Sequence, residues 1–383
     1  MSNKKKLDNK NIIKYIINFL KIVLFIVFIA INKNINKNNE REIKNNKTKP
    51  TSLIFKILPF LHYNKPLTTK ISIFIPIYNK AEYIYRCIKS VQTQTLKDIE
   101  IIAINDHSND NSLKILIELS KADDRIKVIN NEENKGLLYS RAIGILTSSG
   151  EYLMNLDSDD ELQGYNSLKN LYYKAKRYNI DIINFVFFDK KLNKNINNCN
   201  KINLVQKQPE LFNSIFHTNN EIKDYNIWNK LIRRETFIQA YKAFKKEIDN
   251  LKWDYYEDDV WNILVNKFAK SKLCVNRVIY IYNFNNRSLM NNKIKLIELK
   301  NLLYRHEMYK KIFQNKEKQK YFVAEYLFLL NTLKSQTKQL LLLNSPELIN
   351  QIINITNYFL QNHEYSNEFK NEMFTFINSI KIK

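Results

Sequence analysis

Residues 151–162, EYLMNLDSDDEL, run from β-prone apolar positions straight into three carboxylates, Asp157, Asp159 and Asp160. In α/β sheets, ligands gather beyond the carboxyl ends of parallel strands, so this junction predicts a strand end that faces a ligand. Carboxylate oxygens are hard donors, and such a cluster suits Mg²⁺ or Mn²⁺ held against phosphate oxygens. A solvated acidic loop is the alternative and needs no ligand.

Outward from that stretch, apolar β-like runs at 71–75, 99–104, 126–129, 152–156 and 180–188 alternate with helix-length segments. The alternation predicts βαβ units, hence an α/β fold with a mostly parallel sheet flanked by helices. Ile84, Cys87, Ile88 and Val91 repeat at helical spacing, Ser112 can cap residues 113–119, and Gly136 precedes a helix over 137–146. Loops after the strands then collect IYNKAE (77–82), NDHSNDNS (105–112) and DSDDE (157–161) on one sheet edge.

At 383 residues, 44% of them hydrophobic, the chain can bury a sizeable core. Lys and Arg outnumber Asp and Glu 61 to 38, a formal charge of +23. The excess is diffuse, as in the Lys- and Asn-rich residues 32–49, and no zinc-finger spacing or RNA-binding signature accompanies it; nucleic acid is not an expected partner. Cys87, Cys199 and Cys274 are far apart and read as buried free thiols.

Lys4, Lys5, Lys6 and Lys10 precede an apolar segment over 12–31, interrupted by Lys14, Asn18 and Lys21. It reads as a single-pass signal anchor with a cytoplasmic basic tail, which would place the globular part on a secretory-pathway membrane, Golgi or endoplasmic reticulum. An amphipathic surface helix is the alternative. Residues 32–69, polar and broken by Pro50, Pro59 and Pro66, read as a stem. Sequons at Asn46, Asn286 and Asn354 fit a lumenal location.

ISIFIPIYNKAEYIYRCIKSVQTQTL, IEIIAINDHSNDNS, NKGLLYSRAIGI and GEYLMNLDSDDEL, four ordered motifs across about 120 residues, resemble a family 2 glycosyltransferase. The resemblance implies the GT-A fold, a Rossmann-like domain over 70–292 that binds a nucleotide-sugar with Mn²⁺ or Mg²⁺ and inverts the anomeric centre. Its donor half would be 70–189 and its acceptor half 190–292.

Carried over by position, Pro76, Tyr78 and Asn79 fall in the first nucleotide loop, and Glu82 where an acid contacts the nucleoside. Asp106 matches the aspartate that bonds the base, and a carboxylate accepts well from uracil N3–H, so UDP is favoured over GDP. A turn-capping role is the alternative for Asp106. His107 replaces the family's usual glycine, which puts the loop's backbone in question. Lys135 and Arg141 would offset diphosphate charge, or else be solvated. Asp157 would lie near ribose and metal, Asp159 would be the principal metal ligand, and Asp160 would bind sugar or orient the others.

In the second half, WNKLIRR resembles a family stretch on the acceptor side. Trp228 there is a sugar platform or a core aromatic; Lys230 and Arg234 meet phosphate or solvent. YYEDDVW opens a helix with Val260, Ile263, Leu264 and Phe268 inward. Acids at a helix start favour the macrodipole without any catalytic role. The resemblance nonetheless assigns Asp258 as general base, Asp259 as its fallback, and Glu257 to support. By the same resemblance Arg287 and Ser288 would form a lid over the donor phosphates; an ordinary strand exit is the alternative.

Residues 293–383 carry amphipathic stripes and predict a helical extension, a cap or a self-association surface. The reading is therefore a membrane-anchored transferase acting on a glycan, lipid or protein acceptor. A degenerate scaffold or binding protein is the alternative. A nucleotidyltransferase is a weaker one, because PIYNK lacks a glycine-rich triphosphate loop.

Overall fold

The computed structural model describes residues 69–198, 202–208, 226–250 and 257–283, together with Leu211, Asp224 and scattered positions after residue 349. The expected anchor, the stem up to residue 68, Arg287, Ser288 and nearly all of the C-terminal extension lie outside the described residues. Among the described residues, no helix is long and apolar enough to cross a membrane.

The chain begins with β1 (Ile71–Ile77), α1 (Ala81–Gln92), β2 (Ile99–Asn105), α2 (Ser112–Ala122), β3 (Ile126–Asn130), α3 (Leu137–Thr147) and β4 (Tyr152–Asn155). It continues with β5 (Glu161–Leu162), α4 (Ser167–Tyr178), β6 (Ile182–Asp189), β7 (Lys194–Ile196) and β8 (Val205–Lys207). The named elements continue with β9 (Lys230–Arg233), α5 (Arg234–Asn250), α6 (Glu257–Phe268) and β10 (Ser271–Tyr282). The expected α/β alternation is present from β1 to β6, with boundaries moved by one or two residues.

The ten described strands join one sheet, ordered β3-β2-β1-β4-β9-β6-β10-β5, with β7 on β6 and β8 on β10. The expectation of a mostly parallel sheet needs correction. β3, β2, β1 and β4 run parallel, and so do β6 and β10, but β9 lies between β4 and β6 antiparallel to both. β5, β7 and β8 also pair antiparallel. Apolar periodicity marks a segment as a strand and carries no information on direction, so the mixed sheet was hidden.

β1 and β2 are buried along their whole length because helices cover both faces. α1 turns Ile84, Cys87, Ile88 and Val91 inward, the four positions its spacing singles out. α3 packs so closely on β1 that a Cβ on Gly144 would lie 2.7 Å from Phe74 Cβ. Ser112 does not cap its own helix: its Oγ accepts from the Lys80 N–H, and Asp110 accepts from the N–H groups of Ala81 and Ser112. These bonds tie the starts of α1 and α2 together. Cys87 is a buried free thiol, but Cys274 is disulfide-bonded, contrary to expectation. Distance along the sequence did not exclude proximity in space.

Candidate active site

Because β1, β2 and β4 are parallel neighbours, their following loops emerge on one edge, and hydrogen bonds join them. The Asn79 N–H donates to Ser108 Oγ at 3.0 Å, and Asn79 Oδ1 accepts from the Asn109 N–H at 2.8 Å. Asn79 adopts φ 52° and His107 φ 60°. His107 thus takes up the left-handed backbone that a glycine would adopt freely; the loop keeps its turn at a conformational cost of roughly 1–2 kcal/mol. Pro76 is buried in β1, Tyr78 is exposed at the loop tip, and Glu82 is exposed in the first turn of α1.

Asp106 is buried and gathers the next loop around itself. Its Oδ1 accepts from Asn131 Nδ2 and the Lys135 N–H, and its Oδ2 from the Gly136 N–H. A carboxylate offers about four acceptor positions, so these three donors leave room for a base N–H. The turn-organising role and the base-binding role are therefore compatible. The Lys135 ammonium pairs with Glu133 instead of pointing at the strand edge.

The three central carboxylates do not converge as a single cluster. Asp157 accepts from Arg141 Nη2 at 3.1 Å and Asn155 Nδ2 at 2.8 Å. Asp159 accepts from the Lys80 ammonium at 2.5 Å. Asp160 turns inward: Oδ2 accepts from the Tyr280 hydroxyl at 2.6 Å and Oδ1 from the Asn283 N–H at 2.7 Å. Burial, then Asp159 and Asp157, push its pKa well up. Of its two expected roles, the structure supports orienting the others, because the same Tyr280 hydroxyl accepts the Asp157 N–H.

Asp157 and Asp159 keep 25% and 17% of their side-chain surface exposed, so hard oxygens reach the open edge. They fit a Mg²⁺ or Mn²⁺ whose remaining positions are filled by phosphate and water. Among the described residues, no three ligating side chains stand close enough to hold a metal alone.

Arg141 is the hub. Its side chain is buried, with Nη1 donating to Glu257 Oε1 at 2.7 Å and to Asp258 Oδ1. Nη2 reaches Asp157, and Nε reaches Asn155 Oδ1 at 3.2 Å. Burial opposes its charge, but Asp258, Asp157 and Glu257 outweigh burial and raise its pKa. The expected alternatives of diphosphate contact or solvent both give way to a buried bridge between carboxylates.

Of the three acids opening α6, Glu257 and Asp259 are buried, while Asp258 keeps 24% of its side chain exposed. Burial lifts the Asp258 pKa; Arg141 opposes, Asp157 and Asp259 add, and the outcome is about 7. Burial also drives Glu257 well up, against the pull of Arg141. An accessible carboxylate poised near neutrality is equipped to take a proton.

On the acceptor side, the core alternative holds for Trp228, and both alternatives for Lys230, phosphate and solvent, are corrected. Trp228 is buried against Tyr280, Tyr282 and Phe187, with ring centroids at 4.6, 5.7 and 4.8 Å. Two rings stack on it, a third meets it at a steep angle, and only 6% of it is exposed, so the indole serves the core and offers no open platform for a sugar. Lys230 is buried: its ammonium donates to Asp224 at 2.7 Å and to Asn229 at 2.8 Å, and burial lowers its pKa to about 8 although Asp224 opposes. Lys272 joins Asp224 from the other side at 3.1 Å, so this ion pair network is structural and meets no phosphate. Arg234 donates to the Ser148 carbonyl.

Sequence reasoning passed over Lys80, Arg86, Tyr280 and Asn283. Arg86 Nη2 and Asn283 Nδ2 both donate to the Asp159 carbonyl, at 2.8 and 3.0 Å. A signal existed for Tyr280, which alternates with Tyr282 on one strand face. Nothing local marked its hydroxyl as the link between Asp157 and Asp160.

Residues 72–240 match the family model for glycosyl transferase family 2. The chain is 31% identical over 221 residues to EpsJ of Bacillus subtilis, named an uncharacterized glycosyltransferase, covering 57% of this chain and 62% of that one. It is 30% identical over 237 residues to the cholesterol galactosyltransferase of Borreliella burgdorferi, covering 60% and 63%. The chain thus spans about three-fifths of the length of these relatives. S. aureus TarS residues 1–349 in complex with UDP share the fold at a TM-score of 0.54 and 18% identity, covering 75% of this chain and 78% of that one. TarS in complex with UDP-GlcNAc gives a TM-score of 0.54 at 16% identity, covering 75% and 81%. The acids that open α6 lie beyond the residues that the family model matches.

Proposed function

Because residues 72–240 are a family 2 glycosyltransferase domain, we propose that this chain transfers a sugar from a nucleotide-sugar to an acceptor hydroxyl with inversion. The observation that carries this reading is the shared guanidinium. Arg141 touches Asp157 after β4 and Asp258 on α6, so two part-exposed carboxylates, suited to the two ends of a displacement, are tied to one buried group.

Tyr78, Asn79 and Asp106 would seat the nucleoside, with UDP favoured by the acceptor position left on Asp106. TarS, which shares the fold, has been seen with UDP and with UDP-GlcNAc. Asp157 and Asp159 would hold Mg²⁺ or Mn²⁺, which supplies positive charge to the leaving diphosphate. Asp258 takes the acceptor proton as the hydroxyl attacks C1, and the diphosphate leaves from the opposite face. Arg141 holds Asp258 in place and keeps a fraction of it ionised near neutral pH.

The acceptor is a hydroxyl on a glycan, lipid or protein. The test is nucleotide release by the full chain from UDP- and GDP-sugars, with Mn²⁺, with Mg²⁺ and with chelator. Metal-dependent release of UDP from one sugar supports the reading. Absence of both release and nucleotide binding overturns it.

A further inference from the structure

Lys80 lies on the loop after β1, and its ammonium rests on the carboxylate of Asp159, 79 positions away. The proposed function gives this same carboxylate to a divalent cation, and the role argued for Lys80 rests on that reading. Two positive charges cannot share one carboxylate without repulsion, so the ammonium and a divalent cation compete for Asp159.

The surroundings decide which partner can move. The Asp159 main chain is pinned by Arg86 and Asn283 through its carbonyl, independently of Lys80. The Lys80 backbone is fixed as well, through its N–H on Ser112 Oγ. Its four-carbon stem is not: the side chain is 21% exposed, and a lysine head is a compact charge on a flexible arm. Lys80 can therefore swing while the carboxylate stays in place. The loop that carries it is hydrogen-bonded to the loop after β2, on the edge where a nucleotide would lie.

We infer that Lys80 is an exchangeable counter-ion. It neutralises Asp159 while the site is empty of nucleotide, and turns onto the donor diphosphate when Asp159 takes the divalent cation. With the ammonium in place, the Lys80–Asp159 pair has zero net charge, and a cation arriving alone gains little. With a diphosphate present, Lys80 has a second anion to pair with, so releasing Asp159 costs less. Metal and nucleotide then bind with positive coupling, and the coupling is reciprocal.

The experiment measures Mn²⁺ binding to the full chain by electron paramagnetic resonance, with and without UDP. In the natural protein, UDP should tighten Mn²⁺ binding about tenfold or more, within the range usual for coupled sites. Lys80→Met should tighten Mn²⁺ binding in the absence of UDP, shrink the coupling, and weaken UDP binding in chelator. Lys80→Arg, which keeps the charge, should restore all three to the natural values. If Lys80→Met leaves Mn²⁺ affinity unchanged with and without UDP while Asp159→Asn abolishes it, the counter-ion inference fails and the metal assignment stands. If Asp159→Asn also leaves Mn²⁺ binding intact, the metal assignment itself fails, and the inference with it.

Discussion

Arg141 in α3 donates to Asp258 at the start of α6, 117 positions later in the chain. The same guanidinium holds Glu257 and Asp157, so one buried cation restrains three carboxylates. Arg141→Met leaves those acids uncompensated and should destabilise the fold by about 3–5 kcal/mol, read by urea unfolding. Arg141→Lys keeps the charge but loses the planar fork; it should fold and lose most of its turnover.

The Asp258 pKa of about 7 comes chiefly from burial. A general base must be ionised, so activity is low where Asp258 is protonated, below that value, and rises as the pH passes through it. The expected profile of kcat/KM has a rising limb with its midpoint near 7. Asp258→Asn should remove the limb and cut turnover by roughly a hundredfold or more while UDP affinity is retained. A limb that survives the substitution assigns the proton to another group.

Tyr280 donates to Asp160 and accepts from the Asp157 N–H, so its hydroxyl clasps the acidic loop. Tyr280→Phe leaves both partners short of a bond and should cost about 1–3 kcal/mol. Loosening of the loop should also weaken UDP binding in the presence of Mn²⁺, by calorimetry. Equal affinity in the variant would confine Tyr280 to a stabilising part.

Gly150, just before β4, has no room for a methyl: a Cβ would sit 2.5 Å from the Ser72 backbone nitrogen. Its N–H also donates to Ser72 Oγ, which in turn donates to Glu100. Gly150→Ala should therefore cost about 1–3 kcal/mol, because the clash is with main chain that cannot swing away. Thermal melting should show a drop of several degrees.

Trp228 separates core from platform. Trp228→Ala should cost about 3–5 kcal/mol by urea unfolding, as loss of a buried indole requires. Trp228→Phe should retain most of that stability, and its KM for acceptor should match the natural protein. A large rise in acceptor KM with stability unchanged would return Trp228 to the sugar.

Much of the frame was legible because helices and strands are local. The 3.6-residue repeat of Ile84, Cys87, Ile88 and Val91 told which face of α1 is buried, and the apolar runs told where β1 to β4 lie. Asp106, Asp157 and Asp159 could be placed on one edge because consecutive βαβ units are right-handed and parallel. β9 could not be read in the same way: its direction is set by where the chain returns from, which four residues do not record.

Burial and pairing depended on residues distant in sequence. Whether Trp228 faces a sugar or Tyr280 depends on β10, far along the chain, and Lys230, though six positions from Asp224, is enclosed with it by Lys272, 48 positions beyond Asp224. The sequence by itself determined the order of elements, the carboxylate-bearing strand ends and the family resemblance, since these follow from local periodicity and motif spacing. Only the tertiary structure decided that Arg141 joins Asp157 to Glu257 and Asp258, that Lys80 covers Asp159, and that Asp160 turns inward. The bonds from Arg141 to Asp258, Lys80 to Asp159 and Tyr280 to Asp160 span 79 to 120 positions of chain, and a charged side chain settles on the nearest opposite charge in space.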